Sequence, residues 1–363
     1  MQRHLLPDGG APIRHAGGPA DRAAPCRPGR SWSRIARAYS EPRPGRSLLQ
    51  LVTTAIPLAG LWLLMALSLD YGYWITLLLA VPAAGLVVRL FMIQHDCGHG
   101  AFFRSRALND AVGRVIGIVT LTPYERWRQA HAVHHATSGN LDRRGTGDVD
   151  VLTVREYRAL PRWRRALYRL YRNPAVLFGL GPIYTFVLKH RLPPLRDRRG
   201  RASVLWTNLG IAAGVSAPMA LLGVGDFLMV QVPITLLASS IGMWLFYVQH
   251  QFERTYWQAE ESWGFEEAAL GGASFYDLPA VLRWFTADIG IHHVHHLCSR
   301  IPNYRLAECL RDHPELRRCG RLTLLQSLGC VRLALWDEAR ETLVGFRDLR
   351  RAAGAEAVPA AAA

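Results

Sequence analysis

Four long apolar runs, separated by short turns or basic connections, are the clearest pattern along the chain. They cover about residues 48–69, 72–93, 203–222 and 227–248. A helix that crosses a bilayer needs roughly 20 predominantly apolar residues, so each run is long enough to span. Only Asp70 and Tyr71 separate the first pair, and residues 223–226 separate the second. The pattern therefore predicts two tight transmembrane hairpins.

The distribution of arginine predicts how these hairpins are oriented. The chain carries a formal net charge of +15, and Lys189 is its only lysine. Both hairpin turns lack Arg and Lys, whereas the N-terminal segment, residues 94–201 and the C-terminal region are rich in Arg. Because basic loops stay on the cytoplasmic side of a membrane, we expect both termini and the central loop there.

These features predict three regions. Residues 1–47 form a basic cytoplasmic N-terminal tail that is partly disordered; it has no early apolar core and is not expected to act as a signal peptide. Residues 48–310 form the membrane domain. Residues 311–363 form a cytoplasmic C-terminal region with a disordered Ala-rich end. Two shorter apolar stretches, residues 111–122 and 174–188, are expected to be interfacial or re-entrant.

Basic charge and cysteine also suggest other classes of protein, which the rest of the sequence disfavours. A strongly basic chain is typical of nucleic-acid binding. Here 50% of the residues are hydrophobic and no nucleic-acid-binding motif accompanies the apolar runs, so we expect no nucleic-acid partner. The six cysteines form no C-x-x-C pair, which argues against a zinc ribbon, an iron–sulfur site or a thioredoxin motif.

Eight of the 14 histidines fall into one H-x-x-x-H motif and two H-x-x-H-H motifs, namely His95 and His99, then His131, His134 and His135, then His292, His295 and His296. Residues three and four apart share one face of a helix, so each motif can direct its imidazoles toward one point. The predicted topology places all three motifs on the same side of the membrane. A tetrahedral zinc site takes about four ligands, so eight imidazoles suit two metals. Imidazole binds iron, copper, nickel and zinc, and the residues alone leave the metal open.

The three motifs, HDCGH, HAVHH and HHVHH, resemble the histidine boxes of membrane fatty-acid desaturases. The strings HHATSGNLDRRGTGDVDVLTVREY, YVQHQFERTYW and HHLCSRIPNYRL are similar to bacterial acyl-lipid desaturases, and the resemblance covers roughly Leu48 to Leu310. It implies an all-α integral membrane fold. Four transmembrane helices would carry a cytoplasmic helical cap that holds a histidine-ligated di-metal site. It also implies a multi-pass protein of the inner, cytoplasmic membrane.

The resemblance further implies a ninth ligand, His250, near the end of the fourth span. The expected metal ligands are then His95, His99, His131, His134, His135, His250, His292, His295 and His296, with no other catalytic residue. Asp96, Asp148 and Asp288 are expected to orient ligands as neighbouring carboxylates, and Asp288 lies four residues before His292. His293 fills a variable position of the third motif and is not expected to bind metal.

The activity that the resemblance implies is O2-dependent insertion of a double bond into membrane-lipid acyl chains at two iron ions. Such an enzyme is an oxidoreductase. The chain has no HPGG haem motif, no nucleotide fingerprint and no cysteine cluster, so an external electron donor of the ferredoxin or flavodoxin type is expected. The Arg-rich stretch from Arg162 to Arg201 suits either an acidic carrier or anionic lipid. Double-bond position, chain length and the choice between acyl-lipid and acyl-CoA stay open.

Two other functions fit parts of the pattern. A di-iron membrane hydroxylase or ketolase acting on lipid or carotenoid shares the histidine motifs, but the strings that flank them here favour a desaturase. A membrane metal transporter places ionisable ligands near the bilayer midplane. In this sequence the histidines lie just beyond the ends of the spans, which disfavours a transporter.

Overall fold

The computed structural model describes residues 31–349, so the tails predicted to be disordered, 1–30 and those after Leu349, lie outside the described residues. The helices in chain order are α1 (Trp32–Arg37), α2 (Pro44–Ser68), α3 (Tyr73–His99), α4 (Arg106–Val119), α5 (Tyr124–Thr137), α6 (Val154–Ala159), α7 (Arg162–Tyr171), α8 (Arg198–Leu222), α9 (Val224–His250), α10 (Phe265–Gly272), α11 (Ala280–Phe285), α12 (His292–Leu297), α13 (Asn303–Asp312) and α14 (Leu324–Ser327). The strands are β1 (Leu152–Thr153), β2 (Phe275–Asp277), β3 (Arg321–Thr323), β4 (Leu333–Asp337) and β5 (Thr342–Gly345).

Four of these helices, α2, α3, α8 and α9, are long and apolar enough to cross a membrane. This confirms the four predicted spans. Two of them run past the end of their apolar sequence, since α3 continues to His99 and α9 to His250. Backbone hydrogen bonding does not stop where the side chains become polar. Gly100 ends α3 with a left-handed φ of 67°, a conformation that glycine adopts readily at a helix C-terminus.

The central helix of this bundle is α3, which packs against both α2 and α9. On the side near the hairpin turns, a buried cluster joins the three helices and consists of Met65, Ala80, Ala83, Val230 and Ile234. Most of the other apolar side chains of α2 and α8 point outward and are exposed. An outward apolar surface is what a bilayer requires of a spanning helix, so the bundle presents a lipid-facing exterior.

A cap of short elements lies at the far ends of the spans and includes strands that the sequence analysis did not predict. Strand β4 pairs in parallel with β1 and antiparallel with β5, while β2 pairs in parallel with β3. Strands of two to five residues carry too little periodicity to be found in sequence. Their pairing ties the residues after 310 to the central loop and to the segment before the third histidine motif.

The two shorter apolar stretches form two different structures. The first lies mostly in α4. The second folds into two π-helical segments, Val176–Leu180 and Ile183–Leu188, and then a short 3₁₀ turn, Lys189–Arg191. π-Helical geometry is rare and occurs frequently at functional sites. Whether these stretches lie in a membrane interface stays a prediction.

Candidate metal centre

The predicted ligands lie on four helices whose ends meet in the cap. The C-terminal end of α3 carries His95 and His99, α5 carries the second motif, α12 carries the third, and α9 ends at His250. The structure brings all nine predicted histidines together in two groups. A five-histidine group contains His95, His99, His131, His135 and His295. A four-histidine group contains His134, His250, His292 and His296. Within each group the candidate ligand atoms lie within 4.8 Å of one another.

Each H-x-x-H-H motif contributes to both groups. In α5 the first and last histidines, four residues apart, join the five-histidine group, and His134 between them joins the other. In α12 the division is reversed, because His292 and His296 join the four-histidine group and His295 joins the five. The groups are therefore adjacent. The rings of His135 and His296 stack between them at a centroid distance of 4.2 Å.

Hydrogen bonds place the Nδ1 proton of two histidines whose Nε2 atoms face each other. The Nδ1 of His134 lies 2.5 Å from Oδ1 of Asp148, and the Nδ1 of His250 lies 3.1 Å from the carbonyl oxygen of Gly272. A carboxylate and a carbonyl only accept, so Nδ1 carries the proton in both rings, and Nε2 of each neutral ring bears a lone pair.

These two Nε2 atoms lie 3.1 Å apart, so the lone pairs of two neutral rings face each other unless a cation lies between them. Two nitrogens that bind one metal at about 2.1 Å each are separated by about 3.0–3.4 Å. Similar Nε2–Nε2 distances recur through both groups, at 3.1 Å for His250–His292, His131–His135 and His135–His295. The geometry of the donor set therefore fits two metal ions.

Burial keeps the imidazoles of the cap in the form that binds metal. Removal from water, followed by repulsion from neighbouring imidazoles, lowers the pKa well below its ordinary value for His131, His135, His292, His295 and His296. These rings are neutral at neutral pH, as a metal ligand must be. In α3, the Nε2 atoms of His95 and His99 are buried without a hydrogen-bond partner, which leaves both free to bind a cation.

The three carboxylates predicted to orient ligands differ in what they contact. Asp148 holds His134, as described above. Asp96 places Oδ1 3.3 Å from Nδ1 of His95, while its Oδ2 accepts from the backbone and side-chain amides of Asn303 at 2.7 and 2.8 Å. The expectation for Asp288 is wrong. Its carboxylate accepts from Arg283 at 2.7 Å, and Nδ1 of His292 is buried without a hydrogen-bond partner.

Asp288 does not contact His292 because of the backbone conformation before the third motif. Ala287 and Asp288 both have positive φ, 50° and 55°, so the chain turns sharply there and does not continue as a helix into His292. A spacing of four residues brings two side chains together only along a helix. The turn directs Asp288 to Arg283 instead.

Three residues that support the histidines, directly or through Asp96, were not expected from the sequence. Gly272 acts through its backbone carbonyl, for which a sequence carries no signal. Asn303 lies in the IPNYRL string and clamps Asp96. Trp127 stacks on His131 at 4.6 Å with an interplanar angle of 18°, and it precedes that histidine by one helical turn. Asn303 could have been found from that string, and Trp127 from its spacing of four residues to His131.

His293 is fully buried but takes no part in either group. Its ring contacts Phe275 at a centroid distance of 5.9 Å, and burial lowers its pKa to about 4. Of the unclustered histidines, His190 faces the carbonyl of Leu121, and His313 packs against Trp32. His4 and His15 lie outside the described residues.

A cavity of about 1140 Å³ adjoins the histidines and runs down among the spanning helices. Histidines of both groups, including His95 and His292, line it at one end. Its walls are mainly apolar side chains of α2, α3, α9 and the π-helical segments. At the other end lie Trp62 and Gln231, which join α2 to α9 through a 3.1 Å hydrogen bond. The cavity can accept a long apolar chain beside the metal ligands.

Comparison with known proteins gives the same picture. The sequence model of the fatty acid desaturase family matches residues 71–324. A fatty acid desaturase of Bacillus subtilis is 47% identical over 314 residues, which cover 86% of this chain and 89% of that protein. The sn-1 acyl-lipid omega-3 desaturase (ferredoxin) of Synechocystis is 31% identical over 60% of this chain and 61% of its own length. The omega-3 fatty acid desaturase of the endoplasmic reticulum of Vigna radiata is 28% identical over 69% of this chain and 67% of its own. With its four spanning helices, its two histidine groups and these matches over most of its length, the chain belongs to the fatty-acid desaturase family and is an oxidoreductase.

Proposed function

We propose that this enzyme inserts a double bond into an acyl chain of a membrane lipid, using O2 and two iron ions. The observation that carries the proposal is the long apolar cavity, because it begins at the histidines and runs down among the spans. An acyl chain lying there has its methylenes beside the metal ligands. Apolar walls also exclude water from the site, which a C–H oxidation requires.

The five-histidine group would hold one iron and the four-histidine group the other. Bound iron supplies the activation of O2 that removes two hydrogens from adjacent methylenes. The chain's own residues set the geometry. Asp148 keeps the proton of His134 on Nδ1, the carbonyl of Gly272 does the same for His250, and Asp96 fixes His95 while Asn303 holds Asp96 in place. Such contacts orient ligands and raise metal affinity.

Electrons would come from a separate carrier of the ferredoxin or flavodoxin type. Ferredoxin appears in the name of the Synechocystis relative, and we infer the same kind of electron donor for this chain. We also infer a location in the cytoplasmic membrane with both termini and the cap on the cytoplasmic side, because Arg is dense in the cap and absent from both hairpin turns.

The proposal is tested by expressing the chain in a bacterium that lacks desaturases. Total lipid acyl chains are then analysed by mass spectrometry after derivatisation of double bonds. New chains two mass units lighter, still esterified to phospholipid, are expected. A variant with His135→Ala serves as the inactive control. Chains 16 mass units heavier would identify a hydroxylase and contradict the proposal, and unsaturation confined to acyl-CoA would contradict the lipid substrate.

A further inference from the structure

A second cavity, of about 540 Å³, lies on the flank of the cap and plays no part in the site described above. Its walls come from β2, α11, α13, the turn after α13 and β3. Five of its nine lining residues are arginines, namely Arg283, Arg311, Arg317, Arg318 and Arg321. Asp277 is the one acidic residue among the nine. A concave surface of this composition is suited to a negatively charged partner.

Ion pairs neutralise only part of this charge. Arg321 pairs with Asp277 at 2.7 Å, and Arg283 pairs with Asp288 at 2.7 Å. Arg311 lies 3.5 Å from the carboxylate of Asp312. Arg317 and Arg318 form no ion pair with any other residue between 31 and 349, and both are exposed. The cavity therefore keeps surplus positive charge that a partner can meet.

The wall of this cavity adjoins the third histidine motif. Phe275 lines the cavity, and its ring lies 5.9 Å from that of His293. The residue before it, Ser274, accepts a hydrogen bond through its carbonyl from the backbone N–H of His292 at 3.2 Å. Because His292 belongs to the four-histidine group, one residue separates the arginine-lined surface from a candidate metal ligand.

The other basic surface of the cap has a different character. In α7 the arginines are interspersed with Trp163, Leu167 and Leu170, which share one helical face and are all exposed. An exposed apolar face flanked by basic residues is typical of a helix that lies in a membrane interface. Of the two uses left open for the Arg-rich central stretch, α7 thus fits anionic lipid better than an acidic carrier.

We propose that the cavity lined by Arg283, Arg311, Arg317, Arg318 and Arg321 docks an acidic electron-carrier protein. Electrons would then reach the four-histidine group from Phe275 through Ser274 and its hydrogen bond to His292. This inference rests on the proposed function. For each double bond, R–CH2–CH2–R′, O2, two electrons and two protons give R–CH=CH–R′ and two waters. Two one-electron carriers are therefore oxidised in each turnover. Complementary charge accelerates such short-lived encounters and makes them sensitive to salt.

The test compares two matched charge reversals in the full-length enzyme, loaded with iron and placed in lipid nanodiscs. One variant carries Arg317→Glu and Arg318→Glu, and the other carries Arg162→Glu and Arg164→Glu on α7. Desaturation is driven either by an acidic [2Fe–2S] ferredoxin kept reduced by its reductase, or by dithionite, which needs no docking surface. Binding of oxidised ferredoxin is titrated separately, so docking is measured even without activity.

The reversal at 317 and 318 is expected to raise the KM for ferredoxin roughly tenfold or more and to weaken its salt dependence, while the dithionite-driven rate stays unchanged. The milder pair Arg317→Gln and Arg318→Gln should shift KM in the same direction by less. The α7 reversal should leave KM for ferredoxin unchanged.

The proposal is overturned if only the α7 reversal weakens ferredoxin binding. It is also overturned if the 317/318 reversal alters only the dependence on anionic lipid, which would identify a headgroup site. If the unchanged enzyme produces no desaturated chains with either reductant but still binds ferredoxin, the proposed function is refuted and the docking surface is retained.

Discussion

At the scale of single residues, the state of the metal centre is set by acceptors on the far side of the imidazoles. Asp148 and the carbonyl of Gly272 hold protons on Nδ1 of His134 and His250, so each ring, when neutral, presents the lone pair of Nε2 to the other histidines of its group. Sequence spacing predicted that the eight histidines of the three motifs gather, and the family resemblance implied His250. Asp148 was expected as an orienting carboxylate, although its partner was not named. The carbonyl of Gly272 could not be predicted, because a backbone carbonyl carries no signal in the sequence.

Replacing Asp148 by Asn tests this arrangement. Asn keeps the size of the side chain but removes the carboxylate, so the tautomer of His134 is no longer fixed. We expect iron affinity to fall by about 10–100-fold and the desaturation rate to fall with it. Iron content is measured after dialysis against graded chelator. Asp150→Asn is the matched control, since its carboxylate lies two residues on in the same loop. Unchanged affinity in Asp148→Asn would show that the contact does not orient a ligand.

Replacing His292 or its neighbour His293 by Ala should have different effects on the enzyme. His292→Ala removes a ligand, so we expect loss of desaturation with the protein still inserted, because the apolar spans do not need metal to insert. His293→Ala should keep the metal content of the unchanged protein and substantial activity at low temperature. It leaves a cavity in a fully buried position, so its free energy of unfolding should fall by roughly 2–5 kcal/mol. Metal analysis detects the loss of a ligand in His292→Ala, and thermal melting detects the loss of stability in His293→Ala. An inactive His293→Ala beside an active His292→Ala would contradict the assignment.

At the scale of elements, the four spanning helices were predictable and the short strands of the cap were not. Apolar runs gave the four spans to within a few residues, except that α3 and α9 extend into the cap. The expected contact between Asp288 and His292 failed for an element-scale reason, since it assumed a helix where two residues of positive φ make a turn. The strand pairs joining Leu152 to Leu335 and Phe275 to Arg321 depend on segments far apart in sequence.

The hydrogen bond between α2 and α9 is expected to set how deep an acyl chain enters. Trp62 closes the cavity at the end away from the histidines, so Trp62→Ala should lengthen it. We expect longer acyl chains to be accepted, or the double bond to move along the chain, as measured by mass spectrometry of the products. Trp206→Ala on α8 is the control, because that side chain is 70% exposed and does not line the cavity. An identical product spectrum in Trp62→Ala would place the depth limit elsewhere.

At the scale of the whole molecule, four spans with an even number between any two motifs allow all nine histidines to meet on one side. Arg density predicts that this side is cytoplasmic. Single cysteines at Tyr71, Val224 and Leu195, all exposed, test it in a cysteine-free background. An impermeant thiol reagent on intact cells should label positions 71 and 224 and leave 195 unlabelled. The reverse pattern would place the cap outside the cell.

The crossed division of the histidine motifs would also link two bound metal ions thermodynamically. Because α5 and α12 each carry histidines of both groups, the proposed function implies that the first ion to bind would order helices that the second ion needs. Linkage of this kind is reciprocal, so either ion raises the affinity for the other. Loading is then cooperative, and a population short of iron divides into empty and fully loaded chains. Under iron limitation, activity would fall through the number of competent enzymes while each of these keeps its full turnover rate.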